Sequence, residues 1–269
     1  MGYKTIQLRK LKEQIGVITF LREIDMNTLS IEFIGELCDA VEEIRSDKNI
    51  KVLILTGEGK VFCCGAEVTY FVGETRLDTL QSRAYLKKIV GLFEMIESFE
   101  KPTIAAINGY ALGGGCEMAI ACDFRVMSDH AKIGVPEVLL AAVAGGGGTM
   151  RLPRLVGVGK ALEMNLLGTH LDAREALEVG LVTKVSAHGR LMQEAENLAL
   201  KLAQNSAMAM YMIKSSIHQG IYGDKQSSVA YALECMLSCY DHPDQKEVAM
   251  PAFLRKQKAY FNGLSFGLK

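Results

Sequence analysis

The apolar positions of this chain recur with two different periods, and the changes of period mark out its elements. Short apolar stretches from Thr5 to Leu8 and from Gly16 to Phe20, separated by the polar turn Lys10 to Gln14, predict two strands. In the loop LREIDMNTLS that follows, Asn27 and Ser30 have the short polar side chains of turn or cap residues, and a helix is predicted from Ile31. Ile31, Ile34, Leu37, Cys38, Val41 and Ile44 recur at helical intervals and so share one inward face. Lys51 to Leu55 (KVLIL) is a continuous apolar run, the pattern of a strand covered on both sides. The stretch VFCCGAEVTYF after it shows neither period and receives no element. Leu77 to Ile96 is predicted as a helix with Leu80, Ala84, Ile89, Phe93 and Ile96 inward.

The run from Lys101 to Arg151 reads as a strand (Thr103 to Ile107), a glycine-rich turn, a helix, a second strand, and a second glycine-rich turn leading into another helix. Strands and helices that alternate in this way imply crossover connections and a largely parallel sheet. Beyond Arg151 the pattern turns helical over Gly159 to Gly168, Asp172 to Gly180, Leu191 to Ala203, Ala207 to His218, Gln226 to Tyr240 and Gln245 to Tyr260. Asp172 is placed to cap its helix and Gly180 to stop it. With no Pro/Ser-rich linker and no fixed-period repeat, the chain divides into an α/β core over 1–190 and a helical extension over 191–269. An extension of that size cannot bury its own apolar faces, so it is expected to pack on the core or on another subunit.

Composition narrows the possible partners. Of the 269 residues 49% are hydrophobic, enough for a sizeable core, and a net charge of -1 gives no long-range attraction to nucleic acid or to an anionic membrane. No apolar run reaches the ~18 residues of a membrane span. The N-terminus MGYKTIQLRK lacks the apolar region of a signal peptide, so a cytoplasmic protein is expected. Seven cysteines at no framework spacing argue against a disulfide scaffold. Cys63-Cys64 and the Cys235/Cys239 pair have no histidine at a metal-site spacing and read as buried thiols, so no metal is expected. The methionines between Met192 and Met250 read as core or interface filler, and Asp123 as an ion-pair or capping residue.

Two glutamates carry the candidate chemistry. Glu117 follows three glycines at the opening of a helix, and Glu137 follows Pro136 in a later loop. Glycine lets backbone N–H groups come close to a ligand, and a helix N-terminus leaves such groups unpaired beside a partial positive charge. Donors for a developing negative charge with carboxylates nearby suit acid–base chemistry on a carbonyl compound. Read alone, Glu117 could simply favour its helix dipole, and Glu137 could be a solvated loop charge. Gly145 to Gly148 could cradle a phosphate, but the lysine and Ser/Thr of a P-loop are absent in the required order, which favours a tight turn.

Taken together, NGYALGGGCEMAIACDFRV and GVPEVLLAAVAGGGGTMRLPRLVG resemble the enoyl-CoA hydratase/isomerase (crotonase) superfamily. DMNTL, KVLILTGEGKVFCCGAEV, AREALEVGLVTKV and AFLRKQKAYF extend the resemblance, in the family order, over nearly the whole chain. It implies a ββα spiral core with a C-terminal helical trimerisation region, trimers or dimers of trimers, and acyl-CoA thioester substrates with neither metal nor separate cofactor. By the same resemblance Ala66 and Gly114 match the two backbone N–H groups of an oxyanion hole, and Glu117 and Glu137 match two catalytic glutamates. Lys256 falls where family members offer a lysine to the nucleotide part of CoA. The expected reaction is hydration of an enoyl- or dienoyl-CoA. Glu117 would activate water and Glu137 would protonate Cα; isomerase, acyl-CoA hydrolase and decarboxylase are the same-fold alternatives. An RNA-binding member of the fold is disfavoured by the missing basic stripe. Two departures stand out. Glu67 occupies the place of an aspartate, and Leu140-Ala141-Ala142-Val143-Ala144 replaces a segment that carries a glycine and a proline. The methyl of Ala141 is expected to narrow the water or acyl site, and Ala144 to help shape acyl selectivity.

Overall fold

The computed structural model describes residues 2–12, 14–187 and 189–261, so the last eight residues of the expected extension, 262–269, lie outside the described residues. The chain opens with an antiparallel hairpin, β1 (Ile6–Leu11) and β2 (Ile15–Phe20), then α1 (Ile31–Ser46). Three strand–strand–helix units follow. They are β3 (Val52–Gly57), β4 (Val61–Cys63) and α2 (Thr79–Glu97); β5 (Thr103–Ile107), β6 (Tyr110–Leu112) and α3 (Gly114–Ala121); and β7 (Phe124–Ser128), β8 (Lys132–Gly134) and α4 (Gly148–Leu167). β9 (His170–Asp172), α5 (Ala173–Glu178), β10 (Lys184–Ser186) and the helices α6 (Leu191–Ala203), α7 (Ala207–Tyr222), α8 (Lys225–Asp241) and α9 (Met250–Leu254) complete it. The long strand of each unit joins a six-stranded sheet ordered β1-β2-β3-β5-β7-β10, parallel from β2 onward, and the short strand joins a four-stranded sheet ordered β4-β6-β8-β9. This is the ββα spiral of the crotonase fold.

The apolar run of β3 is buried on both faces, as its pattern requires. Leu53 and Leu55 point into the large core shared with α1, α2 and α3, while Val52 and Ile54 face α6. That helix lies close to the sheet because Ala195, Ala199 and Ala203 form its inner stripe with Leu191. Lys51 then closes the C-terminal end of α6: its buried ammonium donates to Ala203 O at 3.1 Å and to Phe261 O at 2.9 Å. Lys101 does the same for α1, donating to Asp47 O at 2.7 Å, and burial lowers its pKa to about 8.

Caps fall where short polar residues stand. Ser30 accepts from Phe33 N, Asp172 forms a reciprocal capping box with Glu175, and Gly180 takes the left-handed φ of 74° just past α5. Three readings need correction. On α2, Leu80 is 78% exposed and Ala84 is exposed, while Tyr85 and Leu92 join Ile89, Phe93 and Ile96 inside. The Tyr85 hydroxyl, bonded at both faces, fixes that rotation. On α1, Phe33 and Ala40 are buried where Ile31 and Cys38 were expected to be. The helix expected from Gln245 to Tyr260 is a π-helical turn, Asp244–Ala249, followed by α9; Lys256 then takes a φ of 57°, which no right-handed helix continues through.

Candidate active site

Two loops meet at the N-terminus of α3. Gly65, after β4, has a φ of 87°, and a β-carbon there would come within 2.8 Å of Gly114 N; one on Gly114 would lie 3.6 Å from Ala66 N. Gly115 is seated so tightly that its β-carbon would stand 1.8 Å from Cys63 O. Glycine is therefore what lets the first turn of α3 dock on the end of β4 and brings the Ala66 and Gly114 amides side by side. Gly114 opens α3, so its N–H has no acceptor within the helix. At the bridge between Leu29 and Ala66 it is Leu29 N that donates, to Gly65 O.

The loop is fastened on both flanks. Tyr85 OH donates to Leu29 O at 2.7 Å and accepts from Glu67 N at 2.8 Å. The Glu67 carboxylate accepts from Thr28 Oγ1 at 2.7 Å and Thr69 Oγ1 at 2.9 Å, with Arg22 Nη2 3.9 Å away. The longer side chain at this position thus has partners of its own and pins the loop next to Ala66. Cys63, buried beneath it, accepts from Gly65 N, and burial pushes its thiol up to about 12.

Glu117 lies in the first turn of α3, a helix buried all round. Its side chain is cradled by the second glycine turn. Gly148 N donates to Oε1 at 2.9 Å, and a β-carbon on Gly146 would come 2.6 Å from Oε2. Burial raises its pKa from the ordinary glutamate value, against the opposing pull of the Gly148, Gly146 and Gly147 N–H groups and the Arg151 charge. The glycine run is therefore a tight turn into α4 that also grips an oxyanion, and that oxyanion is the chain's own carboxylate.

Glu137 begins the 3₁₀ turn Glu137–Leu140 after β8. Gly113, with a φ of 55°, leaves room for it; a β-carbon there would lie 3.0 Å from Glu137 Oε1. Burial lifts the Glu137 pKa to about 7, and the nearby Glu117 charge adds to the effect. Its Oε2 is buried with no hydrogen-bond partner among the described residues. The four residues that resemble an oxyanion hole and an acid–base pair are thus gathered around the opening of α3.

A model of the enoyl-CoA hydratase/isomerase family matches residues 10–264. The chain belongs to this family. It is 37% identical over 262 residues to a crotonyl-CoA hydratase of Syntrophomonas wolfei, covering 97% of this chain and 99% of that one. A short-chain-enoyl-CoA hydratase of Clostridium acetobutylicum is 38% identical over 248 residues, covering 91% and 93%. Among solved structures, the enoyl-CoA hydratase from Bacillus anthracis superposes with a TM-score of 0.90 at 36% identity, covering 96% of this chain and 99% of that one.

In this member of the enoyl-CoA hydratase/isomerase family the other expected site residues are more scattered. Ala141 ends the 3₁₀ turn of Glu137 with a φ of 53°, its N–H donating to Val138 O at 3.1 Å. Ala144 is buried, its methyl 2.6 Å from where a β-carbon on Gly148 would stand. Lys256 lies beyond α9, exposed, and no ion pair or side-chain hydrogen bond among the described residues ties it to the glutamates. One buried group escaped the sequence reading: Arg151, which pairs with Glu97 at 2.6 Å in the first turn of α4. A cation at a helix N-terminus opposes the helix dipole, so its position in the sequence already signals a specific partner. A cavity of about 530 Å³ is lined by Glu97, Arg151 and α7 residues such as Ile217 and His218, and neither Glu117 nor Glu137 is part of its lining. No helix among the described residues is long and apolar enough to cross a membrane.

Proposed function

We propose that the protein adds water across the α,β double bond of an enoyl- or dienoyl-CoA thioester. One observation carries the reading: two carboxyl groups in unlike environments flank the paired Ala66 and Gly114 amides at the opening of α3. The thioester oxygen is received by those amides, where each donor contributes about 3 kcal/mol to stabilising the enolate. Glu117, gripped as an ion by the glycine turn, holds and activates water. Glu137, with a pKa of about 7, keeps a substantial protonated fraction at neutral pH, and that form delivers its proton to Cα. Lys256 is assigned to the nucleotide part of CoA. The names of the hydratase relatives from Syntrophomonas and Clostridium support the substrate class. The test is a panel of enoyl- and dienoyl-CoA thioesters followed by loss of the conjugated absorbance. Turnover of a short straight-chain enoyl-CoA is expected, and no turnover on any member would overturn the reading.

The same proposal includes assembly as a trimer or dimer of trimers through helices within 191–269. Ile213 and Ile217, one turn apart on α7, are 60% and 56% exposed, and Met236 and Leu237 of α8 are exposed as well. Apolar faces of this kind mark association surfaces. Sedimentation at micromolar concentration should give a multiple of three subunits; a 29.4 kDa monomer would contradict it.

A further inference from the structure

We infer that Arg151 is a positioning residue for the active site: its guanidinium, fixed by Glu97 and through it by Tyr222 of α7, sets the Gly146–Gly147 peptide so that its N–H faces the Glu117 carboxylate. The inference rests on the proposed role of Glu117 for its catalytic consequence, though not for its geometry.

Arg151 Nη1 donates to Gly146 O at 2.8 Å, and Nη2 donates to Glu97 Oε2 at 2.6 Å. Glu97 Oε1 in turn accepts from Tyr222 OH at 2.8 Å. The Arg151 side chain is 4% exposed, and its guanidinium fills the space beside Gly147, whose β-carbon would stand 1.8 Å from Nη1. Gly147 itself has a φ of 129°, so the turn is shaped around the guanidinium. In a trans peptide the C=O and N–H point in opposite directions. With Gly146 O turned to Arg151, the N–H of Gly147 is turned to Glu117, where it helps hold the carboxylate ionised. One peptide unit is therefore polarised between a cation at its oxygen and an anion at its N–H, and each contact strengthens the other. Glu97 supplies the countercharge that a merely structural arginine would need. The second bond, to Gly146 O, is what connects the ion pair to the catalytic carboxylate. Residues 97, 151 and 222 lie on α2, α4 and α7, so the end of α7 is tied to the glycine turn through three hydrogen bonds in series.

The test uses the full chain with ¹³C-labelled glutamate carboxyls, the Glu117 signal being assigned by its loss in Glu117→Gln. Removing a nearby cation disfavours a carboxylate, so Arg151→Gln should move the Glu117 titration upward by about one pH unit. The acid limb of the pH–rate profile should move with it, and kcat should fall about tenfold with KM nearly unchanged, as expected for a misplaced catalytic group. Arg151→Lys keeps the charge but not the fork, so it should restore most of the titration and little of kcat. Tyr222→Phe should cost about twofold in kcat, the loss of a bond that only orients Glu97. A folded Arg151→Gln protein with unmoved titration and acid limb would overturn the inference. Should that variant not fold, Arg151→Lys with wild-type kcat would do the same. Because the titration needs no substrate, the two readings separate. A moved titration without any hydration removes the hydratase proposal alone, and hydration with an unmoved titration removes the role of Arg151 alone.

Discussion

Glu117 and Glu137 are the same residue type, each seated against a glycine turn, and the protein treats them oppositely. Glu117 belongs to a buried helix and is received by donors: Gly148 N on one oxygen, the neighbouring glycine amides around it, and the Arg151 charge behind. Glu137 sits on a short 3₁₀ turn, has one buried oxygen with no partner among the described residues, and feels the Glu117 charge. Burial raises both pKa values, but three glycine N–H groups favour the Glu117 ion, whereas Glu137 has only its own backbone N–H. The difference teaches that role follows from the donors supplied, not from burial alone.

The harshest way to break the pairing is at the donor-rich site. Glu117→Gln should lower kcat by 10²-fold or more, the scale of general acid–base effects, with little change in KM. It should also destabilise the fold by about 1–3 kcal/mol, because the amide NH₂ meets the Gly146 and Gly147 N–H groups, leaving donors against donors. Full hydration activity in this variant would remove Glu117 from the activation of water.

Glu137→Gln should lower kcat by a similar ~10²-fold yet leave the fold intact, since no described donor depends on the lost oxygen. Deuterium exchange from D₂O at the substrate α-carbon separates the roles. If Glu137 moves the carbon proton, Glu117→Gln retains more exchange than hydration, whereas Glu137→Gln loses both. Equal losses in both variants would defeat this division.

Stability gives a subtler contrast. With its pKa raised from 4.5 to about 7, Glu137 holds a proton in the folded state that the unfolded chain has already released between those values. Raising the pH through that window therefore costs folding stability, a penalty absent below 4.5 and complete above 7. Glu137→Gln lacks it, so the melting temperature of the variant should exceed that of the wild type more at pH 8 than at pH 5. A gap that does not change with pH would show that Glu137 titrates like an exposed carboxyl.

That these two glutamates belong to one site was legible in the sequence. The glycines at positions 113–115, the helix start after them and the Pro136-Glu137 loop put both glutamates into one argument. The donors that distinguish the two residues were not legible, because they are distant in the chain. Gly148 is 31 residues from Glu117, Arg151 is 54 from Glu97, and Tyr222 is 125 from Glu97. The four-stranded sheet was invisible for another reason. Its members β4, β6, β8 and β9 have three residues each, too few for an alternation to show. On α2 the spacing admitted two neighbouring faces, and the hydroxyl of Tyr85 between Leu29 O and Glu67 N selects one. That choice concerns the site directly, because the same hydroxyl holds the loop that presents Ala66.

The smallest expected effect lies at Ala141, the residue that closes the turn carrying Glu137. A β-carbon at a φ of 53° costs about 1 kcal/mol of backbone strain, which glycine would not incur. Glycine also loses more freedom on folding, by roughly 0.4–1 kcal/mol, so the stability of Ala141→Gly should stay within about 0.5 kcal/mol of wild type. The activity change should show in selectivity instead. Removing one methyl beside the turn that positions Glu137 should alter the ratio of kcat/KM between a straight-chain and a bulkier enoyl-CoA by about fivefold, near 1 kcal/mol of differential transition-state binding. Because the Glu137 backbone is held by Ala141 N to Val138 O and Ala142 N to Glu137 O, the variant should also leave the pH–rate profile in place. A selectivity ratio unchanged within error would make the alanine a neutral occupant of a glycine position. A shifted pH–rate profile would instead show that the strained turn, and not the methyl, tunes the acid.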